Sequence, residues 1–150
     1  MEPVSDHLQQ VAELAKKFAC TWNGGDEAYV VGLLHDIGKY TNLFQEVLNH
    51  SKFNIDHASP GASAMQRIYK ANGFAGAISI LGHHDGLQSC MVDVVRPYLE
   101  LKDDYSPVGK LFSGKNVTGL IDCLYVSGVQ LPQTLMSECP ALLKYPSPLC

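Results

Sequence analysis

The stretch GLLHDIGK at residues 32–39 places an imidazole and a carboxylate side by side at the end of an apolar run. The run is apolar almost all round, which predicts a buried central helix. Neutral imidazole and carboxylate are good ligands for divalent metals. Because adjacent residues on a helix point about 100° apart, His35 and Asp36 are expected to serve two neighbouring positions, with Asp36 between them.

An isolated His-Asp pair is weak support for a metal site. Such a pair is more often a surface pair or a hydrogen-bonded core histidine. The positions of the other histidines therefore decide between the two interpretations.

The composition is that of one folded domain. The chain has 150 residues, of which 46% are hydrophobic and 17% charged, so it can bury a core. The formal net charge of −4 argues against a binder of polyanions that relies on a basic surface alone. Bound metal ions would weaken that objection by supplying local positive charge.

Cysteine usage and hydropathy predict a cytoplasmic protein. The N-terminus has no basic segment followed by an apolar one, and no apolar run reaches the length of a membrane span. The five cysteines are widely spaced and form no C-x-x-C pair, which indicates reduced thiols. They are Cys20, Cys90, Cys123, Cys139 and Cys150.

Apolar spacing predicts helices throughout and no β-hairpin, so the fold class is all-α. The expected helices cover about residues 6–20, 27–37, 42–49, 60–71 and 74–84, with less regular ones at 91–101 and 106–111 and an apolar run at 117–126. Ser5 or Asp6 is expected to cap the first helix, Asp26 the second and Ser59 the fourth, where Pro60 takes the first helical position. We expect a helical domain over residues 1–130. Residues 131–150 form a tail that holds four of the eight prolines and only two charged residues.

Five of the six histidines fall at the ends of predicted elements. They are His7, His35, His57, His83 and His84. Antiparallel packing can bring several helix ends to one pole of a bundle, where carboxylate–histidine metal sites are built. Only His50 has no evident place in this pattern.

At these residues the chain resembles the HD superfamily of metal-dependent phosphohydrolases. The cues are His7 in a first helix, LHDIGK at residues 34–39, DHAS at 56–59 and GHHDGL at 82–87. The doubled histidine, with Gly86 and Leu87 after one intervening aspartate, is most similar to the HD nuclease domain of the CRISPR-associated helicase-nuclease of type I interference systems. The resemblance implies an HD-domain helical bundle and covers about residues 5–88.

The resemblance further implies two divalent metal ions, which could be Mn, Fe, Co, Ni or Mg. One position would be held by His7, His35, Asp36 and Asp122, and the other by Asp36, His57, His83 and His84, with Asp36 bridging. Asp122 is the best candidate for the family's late aspartate, with Asp93 and Asp104 as substitutes. Asp36 and Lys39 are the candidate catalytic residues. Lys39 would lie near the substrate phosphate or the attacking water, although a solvated side chain after a helix stop is an equal alternative.

Three functions are compatible with these residues. The first is a metal-dependent nuclease that cuts single-stranded DNA, or also RNA, delivered by a CRISPR helicase and a crRNA-guided surveillance complex. No G-x-x-x-x-G-K-[ST] helicase motif is present, so the helicase would be a separate partner or a detached part of the same protein. The second is an HD phosphohydrolase for nucleotides or cyclic dinucleotides, and the third is a metal-free HD docking module.

Overall fold

The computed structural model describes residues 3–41, 44–45, 56–86 and 117–135. Within these ranges the regular structure is helical, with no strand. The described residues form five α-helices, named here α1 (Val4–Ala19), α2 (Gly25–Leu34), α3 (Ser59–Tyr69), α4 (Phe74–Asp85) and α5 (Val117–Val126). Short 3₁₀ helices follow three of them, at Cys20–Trp22, Ile37–Tyr40 and Lys70–Gly73. The all-α prediction is confirmed.

Helices α1 and α2 form the most extensive helix pair. Leu8 and Ala12 of α1 and Leu33 and Leu34 of α2 are fully buried in one core cluster. Helix α2 is apolar on nearly every side, so α1, α3 and α4 can all pack against it. The predicted central helix is therefore confirmed, and its C-terminal end lies in the middle of the bundle.

A close backbone approach fixes α3 against the end of α2. A Cβ atom added at Gly61 would lie 1.9 Å from the carbonyl oxygen of Leu34. Only glycine therefore allows this contact without a shift of one helix. The N-terminus of α3 is consequently locked next to the residues that follow Leu34.

Helix boundaries lie within about two residues of the predictions at α1, α3 and α4, whereas α2 ends about three residues earlier than predicted. Helix α1 follows Pro3 with no side-chain cap, and the Ser5 hydroxyl bonds Asp6 instead. Asp26 lies inside the first turn of α2, which follows Gly24 without a side-chain cap. The capping predictions for Ser5, Asp6 and Asp26 are therefore wrong, because each residue lies within the helix that it was expected to precede.

Helix α5 coincides with the apolar run predicted at residues 117–126. Its buried residues are Val117, Leu120 and Leu124, and it packs on α3 and on the 3₁₀ helix Ile37–Tyr40. The start of the predicted tail also contacts the bundle. Leu135 is buried, and the Tyr69 hydroxyl donates a hydrogen bond of 2.7 Å to the carbonyl oxygen of Pro132.

Several predictions fall outside the described residues. These are the helices at 91–101 and 106–111, most of the helix at 42–49, His50, Asp93, Asp104, and the tail beyond residue 135. Phe44 and Gln45 are described and helical. Across the described ranges, no helix combines the length and apolarity that a membrane crossing requires.

Candidate metal centre

The His35-Asp36 pair lies where α2 ends, and this changes how the two side chains point. Helix α2 ends at Leu34, His35 keeps helical backbone angles, and Asp36 leaves the helix with φ −119° and ψ 18°. The His35 Nε2 atom consequently lies 3.1 Å from Asp36 Oδ2. The expectation that this helix continues to about residue 37, with the two side chains about 100° apart, is therefore wrong.

Four imidazoles converge on the Asp36 carboxylate, which is 5% exposed. The Oδ2 atom is 3.6 Å from His7 Nε2 and 3.1 Å from His35 Nε2, and Oδ1 is 3.3 Å from His57 Nε2 and 3.4 Å from His83 Nε2. Two candidate ligand groups result, in each of which the ligand atoms lie within 4.8 Å of one another. The Oδ2 group is His7, His35 and Asp36, and the Oδ1 group is Asp36, His57, His83 and His84. Asp36 belongs to both groups.

His57 reaches the cluster because Gly38 lets its backbone come close. A Cβ atom at Gly38 would lie 2.5 Å from the His57 carbonyl oxygen and 2.6 Å from its Cα. The His57 Nε2 atom is 2.6 Å from His84 Nε2, and the ring of Phe44 packs edge-on against His57. His57 is therefore held between the turn after α2 and the end of α4.

Backbone carbonyls select the tautomers of two ligands. The Nδ1 atom of His35 donates to the carbonyl of Gly32 at 2.7 Å, and Nδ1 of His83 donates to the carbonyl of Ile80 at 2.6 Å. A carbonyl only accepts, so Nδ1 carries the hydrogen and the neutral ring directs its Nε2 lone pair at the carboxylate. A cation placed between these rings and the carboxylate would be held by the Nε2 lone pairs.

The charge distribution around Asp36 keeps it ionised. Burial alone would raise the pKa of Asp36, but the neighbouring His35, His83 and Lys39 side chains outweigh burial and hold that pKa far below its usual value. In turn, the carboxylate raises the pKa of His83 despite the burial of that ring. The centre thus presents a permanent negative charge to any cation that enters it.

One oxygen atom of the centre is suited to a cation. Asp36 Oδ1 is buried and accepts no hydrogen bond from the described residues. A buried carboxylate oxygen without a hydrogen-bond donor is costly. The chemistry of the surrounding donors, three imidazoles and one carboxylate, suits a divalent transition metal. The residues of the Oδ1 group would hold such an ion.

Lys39 contacts the other oxygen of the Asp36 carboxylate, Oδ2. Its ammonium is 2.6 Å from Asp36 Oδ2, and the side chain is 28% exposed. It also lies 6.0 Å from the centroid of the Phe44 ring. The alternative of a solvated side chain is therefore not what the structure has, although the predicted contact with phosphate or water stays a prediction.

The structure does not bring Asp122 to the centre. Its side chain is exposed on α5, and it joins neither ligand group of the described residues. Asp122 is two positions from both Leu120 and Leu124, and therefore about 200° around the helix from each of these buried residues. The expected fourth ligand of the Oδ2 group is thus on the opposite face of α5 from the core.

Asp56 is a supporting residue that sequence reasoning did not assign. Its Oδ1 atom accepts hydrogen bonds from the backbone amides of Ala58 and Ser59, at 3.1 and 2.9 Å, and its Oδ2 atom accepts one from the Ser59 hydroxyl. Asp56, not Ser59, therefore satisfies the first amides of α3, and the expectation that Ser59 is the cap is wrong. An aspartate just ahead of a Ser-Pro helix start was the available signal.

The comparisons with known proteins agree with this geometry. The family model described as HD domain matches residues 4–108, a range that includes His7, both residues of the His-Asp pair, His57 and the doubled histidine. No curated protein and no solved structure gives a significant match. With a match over more than half of its length and a histidine cluster around one buried aspartate, the chain belongs to the HD domain family.

Proposed function

We propose that this chain is a metal-dependent nuclease that hydrolyses phosphodiester bonds of single-stranded DNA, or also of RNA, in CRISPR type I interference. Membership of the HD domain family makes metal-dependent phosphohydrolysis the expected general activity. The observation that carries the proposal is the shared carboxylate of Asp36, with candidate ligand groups on both of its oxygens.

The protein residues divide the work of such a reaction. Divalent ions bound next to each other polarise a phosphate and lower the pKa of a water molecule. Asp36 and the imidazoles would hold the cations, since their ligand atoms lie within 4.8 Å of one another in each group. Lys39 carries a further positive charge at the same carboxylate, where it can contact a phosphate oxygen of the substrate.

The accessibility of the centre favours a polymer as substrate. The His7 side chain is 40% exposed, and His84 is exposed as well, so the centre opens to solvent on both sides of Asp36. An open centre admits a continuous strand that enters and leaves it. The doubled histidine followed by Gly and Leu, in the sequence GHHDGL, further supports a CRISPR nuclease, whose partners would be a separate helicase and a crRNA-guided surveillance complex.

The second candidate is hydrolysis of nucleotides or cyclic dinucleotides. The formal net charge of −4 favours it, because a small substrate needs no extended basic surface. The same ligands would serve both reactions. The alternative of a metal-free docking module has weaker support, because both oxygens of Asp36 still face groups of residues that could hold a metal ion.

The test is cleavage of circular single-stranded DNA by the purified chain with Mn²⁺ or Ni²⁺, beside a panel of nucleotides and cyclic dinucleotides. We expect cleavage of the DNA, and its loss in His35→Ala and Asp36→Ala with the helical circular dichroism retained. The control is His50→Ala, which should change activity little because His50 lies outside the histidine pattern. Turnover of the small substrates only would support the second candidate, and equal loss in all three variants would refute the assignment.

A further inference from the structure

The two oxygens of Asp36 meet different surroundings. Oδ1 is buried and accepts no hydrogen bond from the described residues, and it faces the group with three imidazoles. Oδ2 faces the group with two imidazoles and is already in contact with the Lys39 ammonium at 2.6 Å. Among the described residues, Oδ1 therefore has no hydrogen-bond donor beside it, whereas Oδ2 is already in contact with the Lys39 ammonium.

The Oδ2 group is also the weaker set of ligands. It supplies three donors where the Oδ1 group supplies four. Within it, His7 lies farther from the carboxylate than His35 does, at 3.6 Å against 3.1 Å. A set with one donor fewer holds an ion less tightly.

An ion in the Oδ2 group would meet the charge of Lys39. Like charges a few ångströms apart repel strongly where water is partly excluded. The ion must therefore share Oδ2 with the ammonium or displace it. A lysine stem has four rotatable carbons, and this one is partly exposed at 28%, so displacement into solvent is open to it.

We propose that Lys39 competes with a metal ion for the Oδ2 position, so that the two metal positions fill in order. The Oδ1 group fills first and tightly. The Oδ2 group fills second and weakly, and its occupation releases the Lys39 ammonium from Asp36. The inference rests on the proposed metal-dependent function and adds to it an order of loading and a residue that sets this order.

The experiment measures metal binding directly, without activity. The full chain is stripped with a chelator and titrated with Co²⁺, and the bound ions are followed by isothermal titration calorimetry and by the visible absorption of Co²⁺. We expect two classes of site in the wild-type chain, with affinities that differ by about tenfold or more. Lys39→Met should raise the affinity of the weak class by about tenfold and leave the tight class within about threefold.

Further variants assign each class to its ligands. His84→Ala should weaken the tight class, and His7→Ala should remove the weak class alone, which keeps the inference testable if Lys39→Met fails to fold. Lys39→Arg retains the positive charge and should retain the wild-type order. The matched control is Lys17→Met, because Lys17 is exposed on α1 away from the centre.

The outcomes separate the two proposals. Two equal classes in the wild-type chain, or an unchanged weak class in folded Lys39→Met, would overturn the role of Lys39 while leaving the metal centre intact. Loss of the tight class in His7→Ala would overturn the assigned order. No Co²⁺ binding by the wild-type chain would instead overturn the proposed metal-dependent function itself.

Discussion

Asp36 and Asp122 are both aspartates next to apolar helix residues, and both were expected to bind metal, yet they lie in opposite environments. Asp36 is 3% exposed and lies among four imidazoles, whereas Asp122 is exposed on α5. The difference comes from the backbone. Asp36 follows the end of a helix that is buried on all sides, so the turn directs it inward. Asp122 lies within a helix, so the packing of that helix decides which way its side chain points, and here it points to solvent.

The contact that holds the Asp36 turn in place can be broken by a single methyl group. In Gly61→Ala, the new Cβ would overlap the Leu34 carbonyl, so α2 and α3 must separate just ahead of the His-Asp pair. We expect the free energy of unfolding to fall by about 3 kcal/mol, measured by urea denaturation.

The matched control for this variant is Gly24→Ala. The nearest atoms to a Cβ at Gly24 are 3.8 Å away, which is an ordinary contact, so the cost should be only that of alanine at the position before α2, about 1 kcal/mol or less. Equal costs in the two variants would show that the approach of α3 to α2 is not tight.

Asp56 is a third case beside Asp36 and Asp122, because it supports the residues of the centre without being a candidate metal ligand itself. Asp56→Ala removes the acceptor for two backbone amides and for the Ser59 hydroxyl. We expect a loss of about 1 kcal/mol in stability and weaker metal binding, since His57 follows Asp56 directly. Thermal unfolding and Co²⁺ titration measure the two effects.

Asp122→Ala is the control for that variant. An exposed helix position should change stability by no more than about 0.5 kcal/mol. If the two alanine variants lose the same stability, Asp56 does not cap α3.

The Tyr69 side chain of α3 binds the chain segment that follows α5, through its hydrogen bond to Pro132. Burial, aided by Tyr125 and Asp26, raises the pKa of Tyr69 to about 12. A raised pKa in the folded state contributes stability that is complete below the unfolded pKa of about 10 and is lost as the pH rises through about 12. The wild-type chain should therefore lose stability between these two pH values through this group.

Tyr69→Phe should remove this pH dependence together with the hydrogen bond to Pro132, at a cost of about 1 kcal/mol at neutral pH. Denaturation curves at several pH values compare the two chains. Tyr40→Phe serves as the control, because its hydroxyl has a long contact of 3.4 Å with an exposed serine. An identical alkaline profile for wild-type and Tyr69→Phe chains would contradict the raised pKa.

Much of the fold and centre was predictable because the histidines fall at the ends of strongly patterned helices. The bounds of α4 and α5 and the convergence on Asp36 followed from that pattern. The end of α2 did not, because it depends on Gly61 and Gly38, whose contacts join segments distant in sequence. The outward face of Asp122 was harder to predict, because α5 also leaves two large apolar residues exposed, Tyr125 and Val126.

The most direct test of the shared carboxylate is the metal content of three chains, wild-type, Asp36→Asn and Asp122→Asn, after loading with Mn²⁺ or Co²⁺ and dialysis. We predict that wild-type and Asp122→Asn retain the same amount of metal, whereas Asp36→Asn loses it while its helical content persists. Retention by Asp36→Asn, or a loss in Asp122→Asn as large as that in Asp36→Asn, would contradict the assignment of Asp36 as the carboxylate that both ligand groups share.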